Sequence, residues 1–108
     1  TIMHFVLLYE IVDNFAEKRT PFRIEHLAKV QASHAEGKLV LAGALADPVD
    51  GAMLVFRGPT AEAAEVFARA DPYVTSGLVT NWRVRKWMTV IGDGATMPSV
   101  PDATGFSG

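Results

Sequence analysis

The chain has no cysteine, so it can form neither a disulfide nor a thiolate metal site, and a thiol nucleophile is excluded. It also has no block of basic residues. Ten Lys and Arg stand against twelve Asp and Glu, for a formal charge of −2. A phosphate-backbone partner would need many cations on one face, so nucleic acid is not an expected ligand. The longest apolar run, Phe5 to Tyr9, falls far short of the roughly 20 residues that span a bilayer. It also lacks the basic flank and cleavage pattern of a secretory signal. The expectation is a cytoplasmic protein with no membrane partner. No internal repeat is visible, and 108 residues leave room for one core and no second catalytic domain. Any pocket is therefore small or shared between copies.

What is present is ordered by its apolar periodicity. Ile2 to Tyr9 is β-branched, aromatic and aliphatic, interrupted only by His4, and reads as a strand covered on both faces. Asp13 to Thr20 is polar and mixed. Pro21 suits a first helical turn, and Phe22, Ile24, Leu27, Ala28, Val30, Gln31 and Ala35 suggest a helix over Pro21 to Glu36 that stops at Gly37. Lys38 to Leu45 and Ala52 to Arg57 read as a hairpin around the turn Asp47 to Gly51. Thr60 offers a cap for a second helix with Ala61, Ala64, Phe67 and Ala68 inward, ending near Asp71 because Pro72 follows. Asn81 to Ile91 alternates as a fourth strand, with Lys86 out of place on its apolar face.

This order predicts an α+β, ferredoxin-like βαββαβ fold, an antiparallel sheet with two helices on one face. The domain is expected over residues 1–91. Residues 92–108, rich in Gly, Pro, Ser and Thr without periodicity, read as an extended or partly disordered tail. A first strand apolar on both sides needs a second cover. A second copy is expected to supply it, which predicts a homodimeric α+β barrel.

Few residues suggest chemistry. Arg19, Arg23, His26 and Val30 are spaced by four, three and four, one line on a helix, with Ser33 close to it. Histidine exchanges a proton near neutral pH, and arginine is a fixed cation suited to a carboxylate or phenolate. The plainer reading is a surface His beside a solvated Arg. Asp71, ahead of Pro72 and Tyr73, ends the second helix on the same side of the sheet. There it can orient His26 through one ring nitrogen, or simply cap the turn before the proline. Tyr73 is a candidate substrate contact or a core aromatic. His4 and His34 are isolated, so no metal is expected. Gly92-Asp93-Gly94 opens no helix and is not read as a phosphate loop, and no Ser, Thr or Lys stands in a nucleophile motif.

Arg23, His26-Leu27, Gln31, His34, Glu36-Gly37, Leu41-Ala42-Gly43, Asp71-Pro72-Tyr73, Gly77-Leu78 and Val84 together resemble the pattern of the YciI-like (YCII-related) family from about Met3 to Val90. The resemblance implies a ferredoxin-like barrel dimer with an active-site His and Asp at His26 and Asp71. The tail beyond Ile91 and a compact loop after the second strand depart from the shorter members. The reading is a small-molecule enzyme without cofactor, a lyase, isomerase or hydrolase-like catalyst. His26 is its acid/base, Asp71 orients it, Arg23 meets an anion, and Tyr73 is a pocket wall or second donor. The alternative is a non-catalytic metabolite-binding or interaction protein on the same scaffold.

Overall fold

A computed structural model describes residues 1–97. Its elements run β1 (Met3–Ile11), α1 (Phe15–Lys18), a 3-10 turn (Thr20–Phe22), α2 (Arg23–Ala35), β2 (Leu39–Leu45), β3 (Gly51–Gly58), α3 (Glu62–Ala70), α4 (Pro72–Thr75) and β4 (Val79–Trp87). The strands form one sheet in the order β2-β3-β1-β4, with every neighbouring pair antiparallel. This is the ferredoxin-like arrangement that the periodicity predicts.

The register sorts side chains onto two faces, because directly paired residues point the same way. Leu7 pairs with Leu54 and Val84, and Tyr9 with Ala52 and Trp82. These residues meet Phe67 and Ala68 of α3 and Tyr73 of α4 in one core. Each large side chain buried there contributes about 1.5–3 kcal/mol. Val6, Val55 and Arg85 share the other face, as do Leu8, Met53 and Arg83.

Several boundaries depart from the sequence expectation. Asp13 to Thr20 is not a simple polar loop, since α1 carries Phe15 into the core. The first long helix begins at Arg23, after a separate 3-10 turn that contains Pro21. Its apolar stripe also merges two faces. Phe22, His26, Val30 and Ser33 follow the inward row, while Ile24, on the opposite row with Ala28, Gln31 and Ala35, is 86% exposed. Gly37 at φ +79 ends the helix as anticipated, with Lys38 N donating to Ser33 O at 3.0 Å.

The fourth strand stops at Trp87 and not at Ile91. The chain then turns back toward the start of β1. Met97 N donates to Thr89 O at 2.8 Å, and Thr89 Oγ1 bonds His4 Nδ1 at 2.7 Å. The anticipated tail thus starts as an ordered turn, and residues 98–108 lie outside the described residues. No helix among those described is long and apolar enough to cross a membrane.

Candidate functional site

Asp71 occupies the joint between α3 and α4. The following proline holds it in extended geometry at φ −68 and ψ 124, and its carboxylate caps α4 by accepting from Tyr73 N at 3.0 Å. The same carboxylate faces inward and is 0% exposed. A buried carboxylate is tolerated only when donors surround it. Tyr9 Oη donates to Oδ2 at 2.6 Å, and His26 Nδ1 lies 2.8 Å from Oδ1. Capping and orienting a histidine are therefore two uses of one side chain.

The donor direction follows from the inventory of groups. Asp71 accepts from the Tyr73 amide at the same oxygen that His26 meets, so this oxygen acts as an acceptor and Nδ1 carries the hydrogen. That leaves Nε2 as the free nitrogen. The imidazole plane is fixed by stacking on the Tyr73 ring, with centroids 3.7 Å apart and planes inclined by 9°. Phe15 meets Tyr73 edge-on at 5.2 Å. Burial, reinforced by the neighbouring Asp71 charge and its hydrogen bond, pushes the Tyr9 hydroxyl far above the ordinary phenol range, so Tyr9 stays a donor.

His26 borders a cleft of about 220 Å³ between α2 and the β2–β3 half of the sheet. The space exists because Ala42 and Ala44 pair with Leu54 and Ala52, and these alanines are too short to fill the gap below Leu27 and Val30. Arg19, Arg23 and Tyr73 line the same cleft. The Tyr73 ring is buried, 4% exposed, and its hydroxyl has no hydrogen-bond partner among the described residues. Burial raises the Tyr73 pKa, while Arg19 and Arg23 pull it down and Asp71 adds to the rise. The net effect is upward. Arg23 acts on this hydroxyl as a nearby cation, without the geometry of a regular hydrogen bond.

The structure thus brings His26, Arg23 and Tyr73 to one cleft, with Asp71 buried behind His26 and outside the lining. Two participants were missed. The periodicity shows Tyr9 only as a strand residue, although a phenol in the middle of an apolar strand needs a partner for its hydroxyl. Arg19 falls on the helical line with Arg23 and His26, but nothing in its spacing sets it apart as a site residue. His34 is engaged locally, donating from Nδ1 to Leu39 O at 2.9 Å.

A ferredoxin-like α+β domain with a His–Asp pair over a small cleft defines the class. The chain belongs to the YCII-related family, whose domain matches residues 3–88. Protein YciI of Escherichia coli O6:H1 is 34% identical over 97 residues, covering 82% of this chain and 99% of that protein. An uncharacterized protein of Haemophilus influenzae is 29% identical over the same shares. Among solved structures, the 5-chloro-2-hydroxyhydroquinone dehydrochlorinase TftG of Burkholderia phenoliruptrix AC1100, in complex with 2,5-dihydroxybenzoquinone, aligns with a TM-score of 0.68 at 19% identity, covering 81% of this chain and 95% of its own. A NIPSNAP family protein of Agrobacterium tumefaciens aligns with a TM-score of 0.59 at 16% identity, covering 90% and 99%. At these identities the two structures speak for the fold alone.

Proposed function

We propose that the chain is a cofactor-independent enzyme that moves a proton on a small molecule, in an elimination or isomerisation, with His26 as the acid/base. The observation that carries this reading is the fully buried Asp71 carboxylate. Three donors hold it, and it in turn holds His26 Nδ1. Nε2 then takes a proton from the substrate, and the imidazolium that forms is balanced by the Asp71 charge. In an elimination the electron pair of the broken bond expels a leaving group. No nucleophile motif accompanies the pair, so acyl transfer fits less well. Arg23 meets negative charge on the substrate, and Tyr73 is the wall of the pocket. Cavities of about 150 Å³ hold benzene, so a cleft of about 220 Å³ suits one substituted ring or a short acid.

TftG, named for loss of chloride from a chlorinated hydroquinone, shares this fold and supplies a first test compound. The purified protein is incubated with 5-chloro-2-hydroxyhydroquinone and related halogenated phenols, and chloride release and proton exchange from D2O are followed by NMR. Turnover that disappears in His26→Ala is the expected result. Turnover that persists in His26→Ala overturns the reading. Binding of such compounds without turnover or exchange returns the chain to the metabolite-binding alternative.

Two copies packed through their open sheet faces complete the proposal. That face carries Val6, Leu8, Met53 and Val55 by register, with Leu41 and Leu45 exposed at its edge. Among the described residues, the turn after β4 borders this face at His4, Leu41 and Val55.

A further inference from the structure

The cleft has an acid/base at one side, and Arg19, Arg23 and the Tyr73 hydroxyl take no part in the proton transfer itself. Arg19 is half-buried and Arg23 exposed. Neither has a carboxylate within ion-pair distance among the described residues, where the ion pairs are His26 with Asp71 and Lys38 with Glu36. The Tyr73 hydroxyl stands beside these guanidiniums, buried and without a partner among the described residues. Guanidinium groups only donate, so they cannot accept the Tyr73 proton. A buried hydroxyl lacking an acceptor is a standing cost, and the missing group must accept a hydrogen bond from Tyr73 while offsetting two positive charges.

We infer that Arg19, Arg23 and the Tyr73 hydroxyl form an anion subsite, and that the molecule taken by the cleft is a small organic carboxylate. Its carboxylate lies against these three groups, and its reacting atom lies below His26 Nε2. This second placement rests on the reading of His26 proposed above, whereas the subsite itself does not. A carboxylate matches the planar fork of an arginine and leaves an oxygen for Tyr73. The raised pKa of Tyr73 keeps its hydroxyl protonated near neutral pH, as a donor must be. The apolar remainder of the cleft, with Phe15, Leu27, Val30 and Leu54, faces the hydrocarbon part of the ligand.

Benzoate and its neutral isostere benzamide test this directly, with inorganic phosphate as a third probe, by calorimetry and by chemical-shift perturbation on the whole chain. Benzoate is expected to bind and benzamide to bind at least about tenfold more weakly, the scale of a hydrogen bond to a charged group. Tyr73→Phe, which keeps the ring stacked on His26, and Arg19→Gln, at a half-buried position with no ion-pair partner, are each expected to weaken benzoate by about tenfold or more. Equal binding of benzoate and benzamide overturns the inference, as does benzoate binding unchanged in Arg19→Gln. Phosphate binding with the same Arg19 and Tyr73 dependence, while benzoate fails, overturns the carboxylate assignment. His26→Ala is expected to retain benzoate. Loss of turnover with benzoate binding intact separates the acid/base role from the subsite, and turnover in a protein indifferent to benzoate sinks the subsite alone.

Discussion

Replacing Asp71 by asparagine or by alanine has sharply different expected outcomes. In Asp71→Ala three donors lose their acceptor at once: Tyr9 Oη, His26 Nδ1 and the Tyr73 amide. Each orphaned buried group costs about 1–3 kcal/mol. The sum, about 3–9 kcal/mol, approaches the roughly 5–15 kcal/mol that holds a domain together. This variant is expected to unfold or to melt far below the parent.

In Asp71→Asn the Tyr73 amide, which can only donate, pins the asparagine oxygen where Oδ1 now sits. His26 therefore keeps its acceptor and its tautomer. The asparagine nitrogen turns to Tyr9, and the Tyr9 hydroxyl accepts from it but loses the acceptor for its own hydrogen. One orphan at about 1–3 kcal/mol is partly offset by no longer burying a charge, so a net loss of about 1 kcal/mol and a melting shift of about 4–8 °C follow. Turnover is expected to fall by about 10- to 100-fold, the worth of a charged hydrogen bond to the imidazolium. That is less than the roughly 10⁴-fold seen where an asparagine inverts a histidine tautomer. Substrate affinity should change little. Thermal melts, steady-state kinetics and the 15N shifts of the His26 ring are the assays. Unchanged turnover in a folded Asp71→Asn, or equal melting of the two variants, refutes the reasoning.

Filling the cleft by Ala44→Leu, where an exposed alanine lines the space, is expected to abolish benzoate binding with unfolding free energy changed by less than about 0.5 kcal/mol, the range of surface changes; retained binding would place the ligand elsewhere. Tyr9 has a folded pKa raised above its unfolded value near 10. Its contribution is present in full below about pH 10 and declines by about 1.4 kcal/mol per pH unit above it, so denaturant titrations should show an alkaline loss that is shallower in Tyr9→Phe. Leu41→Lys, on the open sheet face at 72% exposure, is expected to convert the proposed dimer to a monomer in sedimentation without unfolding the protein. A wild-type protein that sediments as a monomer at low micromolar concentration would count against the barrel assembly.

The order of the four strands and the two longer helices was legible because each carries its own periodicity, and because Gly37 and Pro72 mark stops by local sterics, whereas the four-residue helices α1 and α4 are too short to show one. The phase of α2 was not legible. An inward row of Phe22, His26, Val30 and Ser33 looks weaker than the outer Ile24 until it is known that His26 faces a buried carboxylate. That contact joins residues 45 apart, and the Tyr9 bond joins residues 62 apart. Neither leaves a local pattern. Residue chemistry alone leaves His26 and Asp71 as candidates beside plainer readings, and the family resemblance is what pairs them, yet the third member of the network is hidden, because Tyr9 looks like any other aromatic in a strand. The cleft was hidden for the opposite reason. It is made by what Ala42, Ala44 and Ala52 do not fill, and small residues in a strand show no signal of their own.

Holding Asp71 in this way couples the site to the stability of the fold. Were Asp71 only a cap, a solvated carboxylate at the end of α3 would satisfy the Tyr73 amide at little cost. Burying it instead commits Tyr9 from the central strand and His26 from the opposite helix, so three elements must dock before the charge is tolerated. The imidazole then cannot swing away from Asp71 without orphaning a buried acceptor, and the Tyr73 ring stacked on it blocks rotation out of plane. An acid/base gains most from being held in one orientation before substrate arrives, and a surface histidine would gain nothing from such a cage. The lone Tyr73 hydroxyl at the cleft wall is the opposite case, a buried polar group left unsatisfied among the described residues. Within this site it marks where the carboxylate inferred above belongs.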